Sequence, residues 1–331
     1  MTSSDTASRT RLISCVGVES DLPLLPHFLR HYLGLGIAPE RVHLVLNAPT
    51  ADAPGLAEAR AVLAAHDVGG AEEWIAPYTS DAMWEKRREV QRRVASPADW
   101  VVSADVDEFC EFPAPLGEVL DYCERRGANC VQGVFIDRLA PGGTLAEVEP
   151  SPSLWDQFPI EADVIGTIRQ HEGDSDNYKF GTVNIMVCRG DVLPSRGGHA
   201  PLKGEDSAPA SFLLGAPLGR MPGITNPAVR FAIPFRVHHF KWTEALAERH
   251  QRRLDTPGAS AAGSAYGRLL LDHLDRWGGR IGLGDVPVRH PTPADRVPWR
   301  LRVNALRASA VADRAAAFGR RAAGAIKRRV L

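Results

Sequence analysis

From Arg11 to Asp137, short apolar runs alternate with longer stretches in which apolar residues recur every three or four positions. Runs of the first kind read as buried strands and stretches of the second kind as amphipathic helices, so the alternation predicts βαβ units that build a mostly parallel sheet. The expected strands are RLISCVGV, RVHLVLNA, AEEWIAP, DWVVSADV and CVQGVFID. The helices between them are expected over LPLLPHFLRHYLGLG, GLAEARAVLAAHD, SDAMWEKRREVQRRVA and PLGEVLDYCERRG. Gly34 and Gly36 offer a C-cap to the first helix, and Ser80 or Asp81 an N-cap to the third.

After Pro141 the rhythm breaks. APGGTLAEVEPSPSLWDQFP reads as loop, FGTVNIMVCRGDVLP and PFRVHHFKW as further strands, and SAYGRLLLDHLDRWGG as a helix that leads into a Pro-rich linker near Pro287 to Pro298. The expected organisation is a polar, disordered N-terminus over 1–10 and an α/β domain over 11–245. A helical extension with linker follows over 246–295, and a basic amphipathic tail helix over 296–331.

Composition narrows the class. Of 331 residues, 44% are hydrophobic and 24% charged, the balance of a soluble globular chain. Five cysteines without a CxxC pair indicate neither a disulfide framework nor a zinc knuckle, which favours a reducing compartment. The N-terminus MTSSDTASRTR has no apolar core for a signal peptide, and no run reaches the roughly 18 apolar residues of a membrane span, so a cytoplasmic location is expected.

Net charge is −1, but residues 296–331 carry ten Lys or Arg against Asp313 alone, a local +9 that leaves −10 on the rest. Nucleic acid is not an expected partner. In the tail Trp299, Val303, Leu306, Val311, Ala315, Phe318, Ala322, Ile326 and Val330 fall at nearly helical spacing with Arg between them. Such a helix either lies on the inner face of an anionic membrane or docks on the acidic body or on a second subunit; the alanine content of its apolar face favours docking.

The chemistry concentrates in ADVDEF, where a buried strand ends on Asp105, Asp107 and Glu108. Like charges at a strand end are costly unless they meet water or a cation. Ligands of open α/β sheets bind at the carboxyl ends of strands. Two carboxylates at i, i+2 there can turn to one hard divalent cation, Mn²⁺ or Mg²⁺, whose shell phosphate oxygens complete. A solvated acidic turn is the competing reading. The absence of GxxxxGK[ST] argues against a P-loop ATPase. Acids on the fourth rather than the first strand argue against an aspartyl phosphatase, and VGVESDLP lacks the Gly-rich, Arg-containing loop of a sugar nucleotidyltransferase.

Over roughly Arg11 to Arg252 the chain resembles the family 2 glycosyltransferases of GT-A type. It is most similar to a bacterial subgroup whose first strand ends in an acid, whose first helix reads like LPHFLRHYLGLG and whose fourth strand ends in DVDEF. The resemblance implies a GT-A-like, Rossmann-like α/β fold with a mostly parallel sheet flanked by helices. It also implies metal-dependent transfer, with inversion, of a sugar from a nucleotide-diphospho sugar to a hydroxyl of a glycan, lipid or small-molecule acceptor. A cation held by Asp105 and Asp107 would stabilise the charge that develops on the departing diphosphate.

Further residues follow from the same resemblance. Glu19 is the acid after the first strand, and Asn47 stands in LNAPTAD where relatives often place Asp with Asn or Ser. His239, rather than His238, matches the position that completes the metal shell; its competing reading is a structural histidine stacked on Trp242. Lys241 lies on the same strand face and could meet a phosphate. Lys86, Arg87 and Arg88 open a helix face near the diphosphate, with Lys86 taken as the donor contact and a solvated face as the alternative. Lys179 in NYKFGTVNIM and His199 in RGGHAP match subgroup positions. An inverting transfer needs a carboxylate base. Glu205 and Asp206 in LKGED stand where the family carries it; Asp206 is favoured, with Asp137, Asp174 and Asp176 competing. A non-catalytic nucleotide- or sugar-binding protein on the same fold is the alternative function.

Overall fold

The computed structural model describes residues 8–171, 181–255 and 261–313. The strands are β1 (Thr10–Gly17), β2 (Val42–Ala48), β3 (Glu72–Ile75), β4 (Trp100–Ser103), β5 (Glu108–Glu111), β6 (Cys130–Leu139), β7 (Ile160–Ala162), β8 (Val183–Arg189) and β9 (Arg236–His239). They form one sheet in the order β3-β2-β1-β4-β8-β6-β9-β5, with β7 added to β6. Following the pairings from β1, strands β2, β3, β4, β6 and β9 run with it and β5, β7 and β8 against it. The sheet is therefore mostly parallel.

Strand β1 is apolar on both faces, as a central parallel strand must be when helices cover both sides. Leu12 and Val16 face the main core, which receives Phe28, Leu29 and Tyr32 from α1 (Leu25–Gly34), Leu56 and Leu63 from α2 (Pro54–Ala65), and Val119 and Leu120 from α4 (Leu116–Arg125). Ile13 and Cys15 face the other side, where α3 (Ser80–Val94) lays Met83, Trp84 and Val90 on them with Val45 and Val101. The N-cap of α3 is Thr79, whose hydroxyl accepts from Ala82 N at 3.3 Å, and not Ser80 or Asp81. Gly36, with φ of 90°, closes the turn after α1 in the conformation that favours glycine.

Strand β5 escapes the hydrophobic pattern because its ends are Glu108 and Glu111; it forms by antiparallel pairing with β9. The second half of the chain builds a smaller core. Val164, Ile165 and Ile168 of α5 (Val164–His171), Leu246 of α6 (Leu246–Asp255), and Leu270 and Leu274 of α7 (Ala261–Arg276) pack on Leu139, Ala162 and Trp242. The Pro-rich stretch after α7 lies along β7, with a bridge between Ala162 and Val288 and Arg289 N donating to Glu161 O at 2.7 Å.

The tail begins helix α8 (299–313), which docks on α4. Tyr122 and Trp299 meet edge to face at 5.0 Å, Tyr122 donates to Asn304 Oδ1 at 3.1 Å, and Val303 and Ala310 are buried. Residues 1–7 of the expected N-terminal tail, and Ala315, Phe318, Ala322, Ile326 and Val330 of the expected tail helix, lie outside the described residues. No helix among the described residues is long and apolar enough to cross a membrane.

Candidate functional site

In the order β3-β2-β1-β4, chain connectivity reverses between β1 and β4, and an open α/β sheet offers its ligand crevice at such a point, beyond the carboxyl ends of the strands. Here the chain leaves β1 through Gly17 to Asp21 and leaves β4 through Ala104 to Asp107. The two exits are tied together by Ser14 Oγ, which donates to Ala104 O at 2.7 Å.

The three acids of ADVDEF diverge. Asp105 keeps 42% of its side chain exposed and forms an ion pair with Arg87, whose Nη1 is 2.8 Å from its Oδ1. Asp107 turns inward, where its Oδ2 lies 3.3 Å from Arg249 Nη1 and 3.7 Å from His239 Nε2. Burial alone would raise the Asp107 carboxyl, but the charges of His239, Arg249 and Lys241 outweigh it and hold the group below its ordinary range. Glu108 turns into the protein and accepts Asn184 Nδ2 at 2.8 Å and Asp105 N at 3.3 Å. Burial, and then repulsion from Asp105 and Asp107, pushes it well above the usual carboxylate value. Glu108 thus braces the turn from the protein side, through the Asn184 amide and the Asp105 backbone.

Pairing of β6 with β9 sets Asp137 opposite His239. Asp137 Oδ2 accepts Val164 N and Ile165 N, both at 2.8 Å, and Oδ1 accepts Trp242 Nε1 at 2.8 Å. His239 Nδ1 is 3.3 Å from the same Oδ1. A carboxylate surrounded by donors sets the ring to donate from Nδ1; the neutral ring then presents its Nε2 lone pair to Asp107, and the protonated ring an N–H. Two acceptors make no hydrogen bond, and at 3.7 Å even a protonated ring is beyond hydrogen-bond distance of Asp107 Oδ2. Two ligand bonds of about 2.0–2.2 Å to one ion span up to about 4 Å, so the gap suits a small cation. His239 stacks on Phe135, with ring centroids 5.0 Å apart, and not on Trp242. His238 faces the other way, to Glu111 Oε2 at 2.8 Å.

Several expected contacts need correction. Asp137 is not poised as a base, because four N–H groups already surround its carboxylate. Lys86 points to Glu72 and Glu89 at the outer edge of β3, away from the acids. Its neighbour Arg87 is the residue aimed at the site: it is buried, pairs with Asp105, donates from Nη2 to Ala104 O, and lies 4.7 Å over the Trp84 ring. Glu19 is exposed on the turn after β1, and Asp21 faces inward instead, accepting Gly17 N at 2.8 Å. Burial pushes Asp21 up to about 6 against the pull of Arg249, whose Nη1 is 4.0 Å away. Asn47 directs its amide at Trp74 O and Ala76 O, both at 3.0 Å, and so fastens β2 to β3.

His199 does reach the site. Its Nδ1 is 2.8 Å from Val183 O, and burial lowers it to about 4, so the ring is neutral at physiological pH; Arg169, Asp105 and His239 are the charges that act on it. Lys241 is buried with its charge acting on Asp107. Glu205 and Asp206 are exposed on their loop, and among the described residues no bond joins either to the Asp105–Asp107 pair. Lys179, with Asp174 and Asp176, lies outside the described residues.

The structure thus gathers Asp105, Asp107, His239, His199 and Lys241, and adds Asp21, Arg87 and Arg249. Arg249 comes from α6, in the extension, where only its place in a basic run, RHQRR, could have drawn notice. Among the described residues no group of three or more His, Cys, Asp or Glu would hold a metal by itself. A cation at the Asp107–His239 gap would take its remaining ligands from Asp105, phosphate oxygens or water, the arrangement hard ions adopt at phosphate-transfer sites.

No protein-family model matches the chain, and no curated protein does. Among solved structures the chain is similar to TarS of S. aureus at 10% identity, over 81% of this chain and 43% of that one, with a TM-score of 0.31. It is similar to TarS 1-349 at 10% identity over 83% and 76%, with a TM-score of 0.29. A third likeness is to mannose-1-phosphate geranyltransferase from Thermus thermophilus, at 15% identity over 46% and 48%, with a TM-score of 0.24. The chain spans less than half the length of the full TarS chain, and TM-scores this low leave the architecture to be judged from the strand order itself.

Proposed function

We propose that this chain is a glycosyltransferase that moves a sugar, with inversion, from a nucleotide-diphospho sugar to a hydroxyl of a glycan, lipid or small-molecule acceptor. The observation that carries the reading is the 3.7 Å gap between Asp107 Oδ2 and His239 Nε2, two acceptors held face to face at the strand-switch crevice. Arg87, Arg249 and Lys241 surround the same acids with positive charge, which suits a polyanionic ligand.

Asp107 and His239, with Asp105 beside them, would hold Mn²⁺ or Mg²⁺, and such an ion would supply the charge that stabilises the departing diphosphate. Asp137 fixes the tautomer and direction of His239. Arg87 holds the Asp105 carboxylate and the Ala104 carbonyl together. Glu108, bonded to Asn184 and to Asp105 N, braces the turn between Asp105 and Asp107. Removal of the acceptor proton falls to Asp206, whose exposed carboxylate has none of the donors that surround Asp137.

A thermal-shift panel of nucleotide-diphospho sugars, with and without Mn²⁺, tests the reading. One donor should raise the melting temperature only with Mn²⁺, by the equivalent of about 2.7 kcal/mol at a hundred times its Kd; a panel without any Mn²⁺-dependent shift would oppose it. That among the described residues no bond ties the exposed Asp206 to the acids favours one second reading, a binding protein on the same fold that holds the donor without turning it over.

A further inference from the structure

We infer that the outward face of α8 is a docking surface for an anionic lipid bilayer. The helix has two faces with different fates. Trp299, Val303, Leu306 and Ala310 turn inward and pack against the main core. Val297, just before the helix, and Leu301 and Val311 on it are 41%, 59% and 57% exposed. On the helix Leu301 and Val311 lie about 80° apart at 100° per residue, and between them fall Ala308, also exposed, and Asn304, which accepts from Tyr122 and Arg126.

Elsewhere among the described residues the only large apolar side chains this exposed are Ile75 and Tyr78. Three of five therefore sit on one short segment, and singly scattered apolar residues do not explain that grouping. The inward anchoring is polar as well as apolar: Arg300 pairs with Glu118 at 2.9 Å, and Arg302 and Arg307 donate to Ala232 O and Leu213 O. The helix is thus anchored to the body with Leu301 and Val311 outward.

Charge identifies the partner. Residues 296–331 carry ten basic residues against Asp313, while the other 295 carry a net −10. An anionic surface attracts this segment and repels the body, so it orients the molecule with the stripe inward to the lipid. A second copy would attract the segment too. Among its described residues, however, the only other large apolar side chains this exposed are Ile75 and Tyr78, so no second broad apolar patch stands ready for Leu301 and Val311. A bilayer interface offers hydrocarbon along the whole stripe, which is how basic amphipathic helices bind.

The test uses the full chain, because deleting the tail would also strip Trp299 and Val303 from the core. Co-sedimentation is measured with vesicles of phosphatidylcholine plus phosphatidylglycerol and with phosphatidylcholine alone. Wild type should partition at least about ten-fold better to the anionic vesicles and lose that advantage in high salt. The double variant Leu301→Glu, Val311→Glu should lose at least about ten-fold in partitioning with an unchanged melting temperature, and Leu301→Ala, Val311→Ala should fall between. Absence of wild-type binding to anionic vesicles, or equal binding by both variants, would overturn the inference. So would a wild-type dimer that the double variant converts to monomer.

Discussion

Two clusters of arginines and carboxylates in this protein invite comparison. At the end of β4, Asp105 and Asp107 meet Arg87 and Arg249. Where the chain returns along β7, Glu161 holds Arg138 at 2.9 Å on one oxygen and Arg289 at 2.5 Å on the other, and Asp295 holds Arg289 at 2.8 Å and Arg236 at 3.0 Å. The second cluster is closed: each Glu161 oxygen has its own guanidinium, and the pairs join β6, β7, β9 and the returning chain. The first is open, with Asp105 42% exposed and Asp107 facing His239 across 3.7 Å. Both have similar charge. What separates a strut from a site is whether the geometry leaves an acceptor facing something it cannot bond.

That contrast can be broken by mutation. Asp107→Asn should reduce turnover by about 10³-fold or more, since a polarising cation is worth several kcal/mol in a transition state, in a protein that remains folded. Calorimetry with Mn²⁺ that found unchanged donor affinity would remove the residue from the metal site. Asp206→Asn should lower transfer by about 10²- to 10⁴-fold with donor binding intact, because the base acts on the other substrate; wild-type rates would dismiss it as a turn acid.

In the closed cluster the expected loss is of stability. Arg289→Met removes a side chain only 9% exposed and leaves Glu161 to Arg138 and Asp295 to Arg236, which should cost about 2 kcal/mol in denaturant unfolding and leave turnover within about two-fold. A large activity loss at unchanged stability would mean the cluster has been misread.

The smallest effect belongs to Glu111. Burial would raise its carboxyl, but His238 and Arg236 outweigh that and hold it down to about 2. A depressed folded value stabilises the protein above the ordinary carboxylate range, and that contribution fades as pH falls towards 2. The side chain is 45% exposed, so solvent screens the effect to below about 1 kcal/mol. The melting-temperature gap between wild type and Glu111→Gln should close between about pH 5 and pH 2; a gap that widened would reverse the assignment.

The apolar rhythm of the first 140 residues is enough to place β1 to β4 and β6, because parallel strands buried on both faces have continuous apolar runs. Strand β5 is hidden by Glu108 and Glu111, which only its pairing with β9 explains. In the site, Asp105, Asp107 and His239 are legible because strand-end acids and a late strand-end histidine have local signatures. Arg87 and Lys86 are neighbours on one helix, and which of them faces the sheet depends on helix phase against Trp84, beyond what a run of three basic residues discloses. Arg249 is least legible: it lies 142 positions after Asp107, and only the packing of α6 on the second core brings it there.

The central claim is that the open cluster at β4 turns over a nucleotide-diphospho sugar. Its most direct test is release of nucleoside diphosphate from a donor panel by wild-type protein with Mn²⁺, with Asp107→Asn alongside. The account predicts release from at least one donor, dependent on Mn²⁺ and absent in the variant. Donor binding without release from any member of the panel would contradict it and leave a binding protein.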